Sequence, residues 1–519
     1  MGTGIVSDRG GRSSSLLLSG ILLAVLVVPT GVSGTGVALP SIARDLGSQP
    51  TQLQWIVNAF NLTFAVFSLV AGSVADRVGR RRGLLVGGVV FALAGVGSGV
   101  APNTVVLDCA RAVAGVGAAM VFACSGAILA TNFSGKAADR AFALFGTAAG
   151  LGLGLGPSIS SAAIAVVGWP GIFWFNALAL GVALLLVRWS RVTDDAPGSA
   201  GRVDLAGAVT FAVAMSLIIA AFSEASALGW LSWITVALFV GGCTVLVCFG
   251  RIQAVAAAPL LDLRLLRSPR LVGLLLVPVA GALGFVTLLS YYPTFLSGVW
   301  QLGPDTVGVV MLLMTAPVVV GPLIAGALHS RGVHMSVILG GSLVAYVIGA
   351  AFLTRAGSEP EVVGMAVPLL LVGLGFGLGV GLVDGQAIGS VPAEHAGMVS
   401  GLVSTVRLGS EAVLVAVFGG ALSSIVGERV AERLPAGVSA DLREAVIRQV
   451  VTGTVPDVPG TPGSVLRAAF ADGMRPMLWA VAGAGALLAV VVVVLLSRRT
   501  KGQSGTPPTG SPARRDARA

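Results

Sequence analysis

The sequence predicts an all-α polytopic membrane protein with 14 transmembrane helices, and three observations carry that prediction. Of 519 residues, 55% are apolar and only 11% charged, where a soluble domain carries roughly 25% charged residues. So few charges cannot cover a surface in water, and so much apolar content excludes disorder. Uncharged runs near the ~20 residues that a helix needs to cross a bilayer core recur along the chain. Lys and Arg concentrate in alternate connections between those runs.

The first run, Ser13–Ala43, follows Arg9 and Arg12 as in a secretory signal. It exceeds the about 7–15 residues of such a core and reads as a retained first span. Leu46–Ala75, Gly83–Leu107 and Ala112–Gly135 supply the second to fourth spans. Ala141–Val187 holds two more, divided at Gly168-Trp169-Pro170, where glycine and proline punctuate the chain. The seventh to twelfth are Leu205–Ser223, Ala225–Gly250, Leu271–Pro304, Thr306–Leu328, Met335–Thr354 and Val362–Val383. Ala396–Gly427 is the thirteenth, although Arg407 and Glu411 interrupt it, and Pro476–Ser497 is the last. With both termini inside, 22 of the 32 Lys/Arg lie on inner segments and eight outside: Arg44, Arg355 and six in one long loop. Arg111 and Arg407 fall within the bilayer. This asymmetry predicts a multi-pass protein of the cell (plasma) membrane with cytoplasmic termini.

Several functions are excluded by what the chain contains. A formal charge of +9 could suggest nucleic acid, but the basic residues cluster between apolar runs without interleaved aromatics. The four cysteines lie inside apolar runs, where they act as small hydrophobes, and three histidines do not make a zinc cluster. No metal, cofactor or nucleophile–base constellation is expected, so the protein is read as no enzyme. The glycine string Gly150–Gly156 sits inside an apolar helix with no preceding strand, which favours close helix packing over nucleotide binding. No Walker sequence occurs.

One inner loop carries chemistry. Gly72-Ser-Val-Ala-Asp76-Arg77-Val-Gly79-Arg80-Arg81-Arg82 packs an acid among four arginines at the mouth of two spans. It resembles the signature G-x-L-A-D-R-x-G-R-R of the major facilitator superfamily, with Val74 in place of Leu. Val37-Ala38-Leu39-Pro40 is similar to the end of the first-span motif of the fourteen-span drug:proton antiporters in that superfamily. Arg111-Ala-Val-Ala-Gly115-Val-Gly117-Ala-Ala119 resembles their fourth-span motif, and Gly146 with Gly150, Gly152, Gly154, Gly156 and Pro157 their antiporter motif. Ser404-Thr-Val-Arg407-Leu-Gly409 resembles their thirteenth-span segment. The family usually has an Asp nine residues before the proline of A-L-P, where this chain has Gly31; Ala114 stands for the motif glutamine.

Gly326-Ala-Leu-His-Ser-Arg331-Gly332, eight spans after Gly72, looks like a degraded copy of the inner loop, with Ser330 where the acid would be. The echo implies two six-helix pseudo-repeat bundles plus two inserted helices. The expected divisions are 1–12, a cytoplasmic N-terminus; 13–187, the N-terminal bundle; 188–204, a cytoplasmic linker; and 205–250, the inserted pair. Then come 251–427, five helices of the C-terminal bundle; 428–475, a long extracytoplasmic loop; 476–497, the last span; and 498–519, a disordered cytoplasmic tail. Within the long loop Leu442, Val446 and Val450 recur at helical spacing after Ser439, a candidate N-cap, leaving a helical hairpin and a floppy loop both open.

The resemblance implies proton-coupled efflux of hydrophobic or amphiphilic small molecules by alternating access, with the proton gradient as energy source and no cofactor. Protons, a small-molecule substrate and membrane lipid are the expected partners, without nucleic acid. Alternatives are an exporter dedicated to one self-made metabolite and, in another class, a non-transporting receptor or scaffold. In the resembling family the loop acid meets a helix N-terminus and an arginine when the inner side is closed, which assigns a gating role to Gly72, Asp76, Arg77, Gly79, Arg80 and Arg81. The intramembrane ionisable residues Asp108, Arg111, Asp384, Arg407 and Glu411 are candidates for the proton and substrate cavity, because charge there is costly and tends to be functional. Asp108 and Arg111 are spaced to pair on one helix face, as are Arg407 and Glu411; a structural ion pair is the alternative reading of each. Arg407 is then expected to hold Glu411 charged, leaving Asp384, which has no local partner although Arg407 on the next span could reach it, as the freer carboxylate and first choice of proton carrier.

Overall fold

Helix boundaries fall where the sequence removes the helical option or supplies a cap. Asn103 accepts a hydrogen bond from the Val106 amide, Asp204 from that of Gly207, Ser268 from that of Leu271 and Ser439 from that of Leu442, each satisfying an otherwise orphaned donor. The computed structural model describes residues 6–47, 50–190, 204–257, 259–435 and 438–497. The chain runs through α1 (Val6–Ser33), α2 (Thr35–Leu46), α3 (Pro50–Val78), α4 (Arg80–Gly99), α5 (Thr104–Asn132), α6 (Gly135–Val167) and α7 (Pro170–Trp189). Next come α8 (Leu205–Leu228) and α9 (Trp233–Val255). The remainder is α10 (Pro269–Gly281), α11 (Thr287–Gly298), α12 (Pro304–Ser330), α13 (Met335–Leu353), α14 (Val362–Gly379), α15 (Leu382–Ile388), α16 (Ala396–Arg433), α17 (Ala440–Val451) and α18 (Gly463–Ser497).

Among the described residues 14 helices are long and apolar enough to cross a membrane, as the sequence predicts. The first span breaks at Gly34 into α1 and α2, the ninth carries a π-helical turn over Ala282–Val286, and the twelfth breaks between α14 and α15. At that last break Gly381 has φ +79, and a Cβ there would collide with the Phe142 carbonyl of α6. Only glycine provides both the left-handed backbone and the close approach.

Helices α1–α7 form one half and α10–α18 the other, joined along two seams, α3 on α16 and α6 on α12. The pair α8–α9 packs together and lies against α16 and α3. A continuous apolar core runs through both halves, while Val89 and Leu93 of α4 and Leu178 and Leu185 of α7 face outward, as lipid-facing side chains must.

The segment expected as a long loop, 428–475, is largely helical. Helix α16 continues to Arg433 and α18 starts at Gly463, so both outrun the bilayer and project from the end opposite Asp76. Charges at Glu428 and Arg475 end the apolar runs but not the helices. Arg433 pairs with Asp472 across the two projections, and α17 packs between them with Val446 and Val450 buried. Leu442, the third residue of that stripe, is 44% exposed. Residues 1–5, most of the predicted linker (191–203) and the predicted tail (498–519) lie outside the described residues.

Candidate functional site

A cavity of about 690 Å³ lies between the halves. Helix α3 contributes Trp55, Asn58 and Asn61, three residues apart and so on one helix face. Ser33 of α1, Leu39 of α2, Phe122 of α5, Ile219 and Ala220 of α8, Tyr291 of α11 and Phe376 of α14 add to the wall, and α16 supplies Arg407 and Glu411. The lining is apolar and aromatic with few polar groups, as small-molecule sites are. Asn61 Oδ1 is buried and unpartnered, while Tyr291 donates to the Val415 carbonyl. Sequence reading missed Trp55, Asn58 and Asn61; their spacing of three in an otherwise apolar run was the available signal.

The pairing expected for the intramembrane charges is reversed. Arg407 Nη2 lies 2.6 Å from Asp384 Oδ2, with side chains 15% and 6% exposed. Asp384, expected to be the freer carboxylate, is thus the paired one and is absent from the cavity wall. Glu411, expected to be held by Arg407, forms no ion pair or hydrogen bond among the described residues; Arg407 acts on it only electrostatically. The physical reason is solvation: an unpaired charge costs most where water is excluded, so the arginine goes to Asp384, 4% exposed, while Glu411 lines the cavity.

The Asp108–Arg111 pair does not form either. Arg111 is 2% exposed. It donates from Nε to the Ile56 carbonyl (3.1 Å) and from Nη2 to that of Gly31 (3.3 Å), and stacks over Phe60 (4.3 Å) and Phe173 (5.6 Å). The break after α1 presents the Gly31 carbonyl, which also accepts from Thr35 Oγ1. Carbonyls and aromatic faces therefore solvate the guanidinium, and Asp108 Oδ1 is left buried and unpartnered. Neither residue lines the cavity.

The Asp76 loop joins the halves. Asp76 Oδ1 accepts from the Gly397 amide (2.9 Å) and Oδ2 from that of Met398 (2.8 Å), both in the first turn of α16, and Arg80 closes the group at 2.8 Å. Amides at a helix N-terminus favour an anion. Arg80 also reaches the Ala393 carbonyl and Arg77 that of Pro259, while Arg81 caps the end of α7 at the Val187, Arg188 and Ser190 carbonyls. Gly79, at φ +110, makes the turn into α4. Gly72 touches Gly397 so closely that a Cβ on either would strike backbone oxygen or the Asp76 carboxylate.

The second seam is the antiporter motif. Gly146 lies against Val380 and Gly381, Gly150 against Val318, and Gly156 against Thr30 and Ser33 of α1, while Gly154 meets open space and Pro157 sits inside α6. Thr147 donates to the Val319 carbonyl across the seam. In the degraded loop copy Ser330 bonds, among the described residues, only within its own turn, at Ala327. Its neighbour His329 instead lies 3.8 Å from Asp139 of α6 and 3.0 Å from Gln386 of α15. The Asp76 end is thus bonded across the halves, with Thr405 bonded to Ala65 and Leu69 above it and Thr147 to Val319 on the second seam. From that seal the cavity extends toward Leu39 and Trp55 at the opposite end.

Two six-span halves, sealed at one end around a central apolar cavity, define a secondary membrane transporter. The chain belongs to the major facilitator superfamily, whose family model matches residues 21–415. It is similar to the multidrug resistance protein Stp of Mycobacterium tuberculosis (strain CDC 1551 / Oshkosh), 28% identical over 85% of this chain and 82% of that one. It is 32% identical to the puromycin resistance protein pur8 of Streptomyces alboniger, over 75% and 77%. With the tetracenomycin C resistance and export protein of Streptomyces glaucescens it shares 27% identity over 96% and 94%. Among solved structures the human organic anion transporter MFSD10 (TETRAN) shares the fold, with TM-score 0.58, 15% identity and coverage of 93% of this chain and 99% of that one. The proton:xylose symporter XylE does so with TM-score 0.60, 12% identity and coverage of 94% and 96%.

Proposed function

We propose that the protein exports hydrophobic or amphiphilic small molecules, drugs and antibiotics among them, in exchange for protons, with Glu411 as the proton carrier. The observation that carries this reading is an unpartnered carboxylate facing an apolar, aromatic cavity between two halves. Facing the cavity without a partner, the carboxylate can alternate between holding a proton and holding a cationic substrate. Arg407 is engaged by Asp384 in an ion pair beside it, and the likeness to drug-resistance proteins supports the substrate class. The Asp76 end is cytoplasmic, as are both termini, and the cavity faces outward with its cytoplasmic seal closed.

A narrower reading, export of one self-made metabolite, draws on the match along 96% of this chain to a protein named for tetracenomycin C resistance and export. Everted vesicles with an imposed pH gradient test the main reading, with ethidium as probe. Glu411→Gln should abolish ethidium-driven proton release and uphill ethidium accumulation while the protein still inserts. If Glu411→Gln retains proton-coupled accumulation, the assignment is wrong.

A further inference from the structure

The cavity has a wall that neither six-helix half supplies. Ile219 and Ala220 of the inserted helix α8 line it directly. Ile219 is buried against Ala65 and Val66 of α3, and Leu408 and Ala412 of α16 pack on the same cluster. Those two residues flank Glu411 on α16, so α8 meets the cavity at the level of the acid. The helix is anchored there by Met215 against Gly409, where a Cβ would lie 3.3 Å from the methionine Cε, and the turn that follows it by the Trp230 indole against Gly420. Behind it α9 packs closely, through Gly242 on Ile218 and Phe249 on Phe211.

The opposite seam has no such addition. There α6 and α12 bound the cavity themselves, through Gly150, Leu153 and Val318. Gly154 of α6 meets open space, and Leu155 and Val320 are about half exposed. The inserted pair therefore closes one side of the chamber only. A helix that merely filled a lipid-facing gap would turn no side chain into the cavity; α8 turns two.

We propose that Ala220, with Ile219 beside it, is a specificity-determining position. The small side chain at 220 leaves room next to Glu411 for the bulky part of an amphiphilic substrate, and its size sets an upper limit on that part. This rests on the export reading for its substrate class, but not for the position of the wall. The inserted spans are then part of the substrate site.

Two measurements test it. In a background with Cys109, Cys124, Cys243 and Cys248 replaced by Ser, Ala220→Cys should react with a membrane-impermeant thiol reagent added to intact cells, and rhodamine 6G should slow the reaction. Val213→Cys, on the outward face of α8, should not react. An unreactive Ala220→Cys, or equal reaction at both positions, overturns the proposal. Labelling needs no proton coupling, so it separates a failure of this wall from a failure of the Glu411 assignment. In export assays Ala220→Phe should disfavour rhodamine 6G relative to ethidium by roughly tenfold, the scale on which a pocket discriminates by size, and Ala220→Ser should leave the ratio unchanged. Equal loss of both dyes, or no change with Phe, overturns it as well.

Discussion

Arg407 chooses between two acids, and the choice shows what a residue-level reading of sequence can and cannot reach. Spacing on one helix favours Glu411, four residues on, and that much is visible in the sequence. The winning partner, Asp384, depends on the break between α14 and α15, which swings the start of α15 against α16. Nothing local announces it, because Gly381 is one of five alternate glycines from Gly373 onward. The pair is nearly dry, so removing one partner leaves an uncompensated charge at a cost of about 3–5 kcal/mol. Asp384→Asn should therefore lower the detergent melting temperature clearly, and Asp384→Asn with Arg407→Gln should recover most of the loss. A double variant no more stable than the single one would show that the pair contributes through something other than charge balance. Arg111 teaches the same lesson: its burial is legible as an intramembrane charge, but its carbonyl and aromatic partners come from three other helices, α1, α3 and α7.

Single elements were legible where a cap or a close-packing glycine marks them. Ser439 starts α17 as its spacing implies, and the motif glycines of α6 other than Gly154 pack as a motif of that kind should. The projecting ends of α16 and α18 were not legible, because hydropathy reports where lipid ends and not where a helix does. The contact between the Asp76 loop and α16 is the element on which closure turns. Asp76 offers both carboxylate oxygens to two amides and an arginine. Asp76→Asn replaces one acceptor by a donor facing an N–H, and charge-assisted bonds are roughly twice as strong as neutral ones. Its turnover should fall at least severalfold with expression retained. Gly72→Leu goes further, since its side chain must displace the Gly397 backbone. It should open this seal, so that a cysteine at Ala220 loses labelling from outside. Normal turnover in both variants would leave the loop with no part in gating.

At the scale of the whole molecule the span count was the most legible feature, because two independent signals fix it. Apolar runs give fourteen crossings, and the sidedness of the arginines requires an even number. What the sequence does not encode locally is the state: a cavity closed at one end and reaching to the other is a property of how two halves lean on one another. The two signals make a joint prediction about orientation. The Asp76 end bears Arg77, Arg80, Arg81 and Arg82 within six residues, whereas the α17 segment from Ser439 to Thr452 alternates Asp441, Arg443, Glu444 and Arg448 and is formally neutral. Positive excess resists translocation and balanced charge does not, so the arginine-rich end belongs in the cytoplasm. In the same cysteine-free background, Leu442→Cys, 44% exposed on α17, should react with an impermeant maleimide on intact cells, and Arg82→Cys should react only after permeabilisation. The reverse pattern would invert the orientation and turn the outward-facing cavity into an inward-facing one, and with it the direction of export.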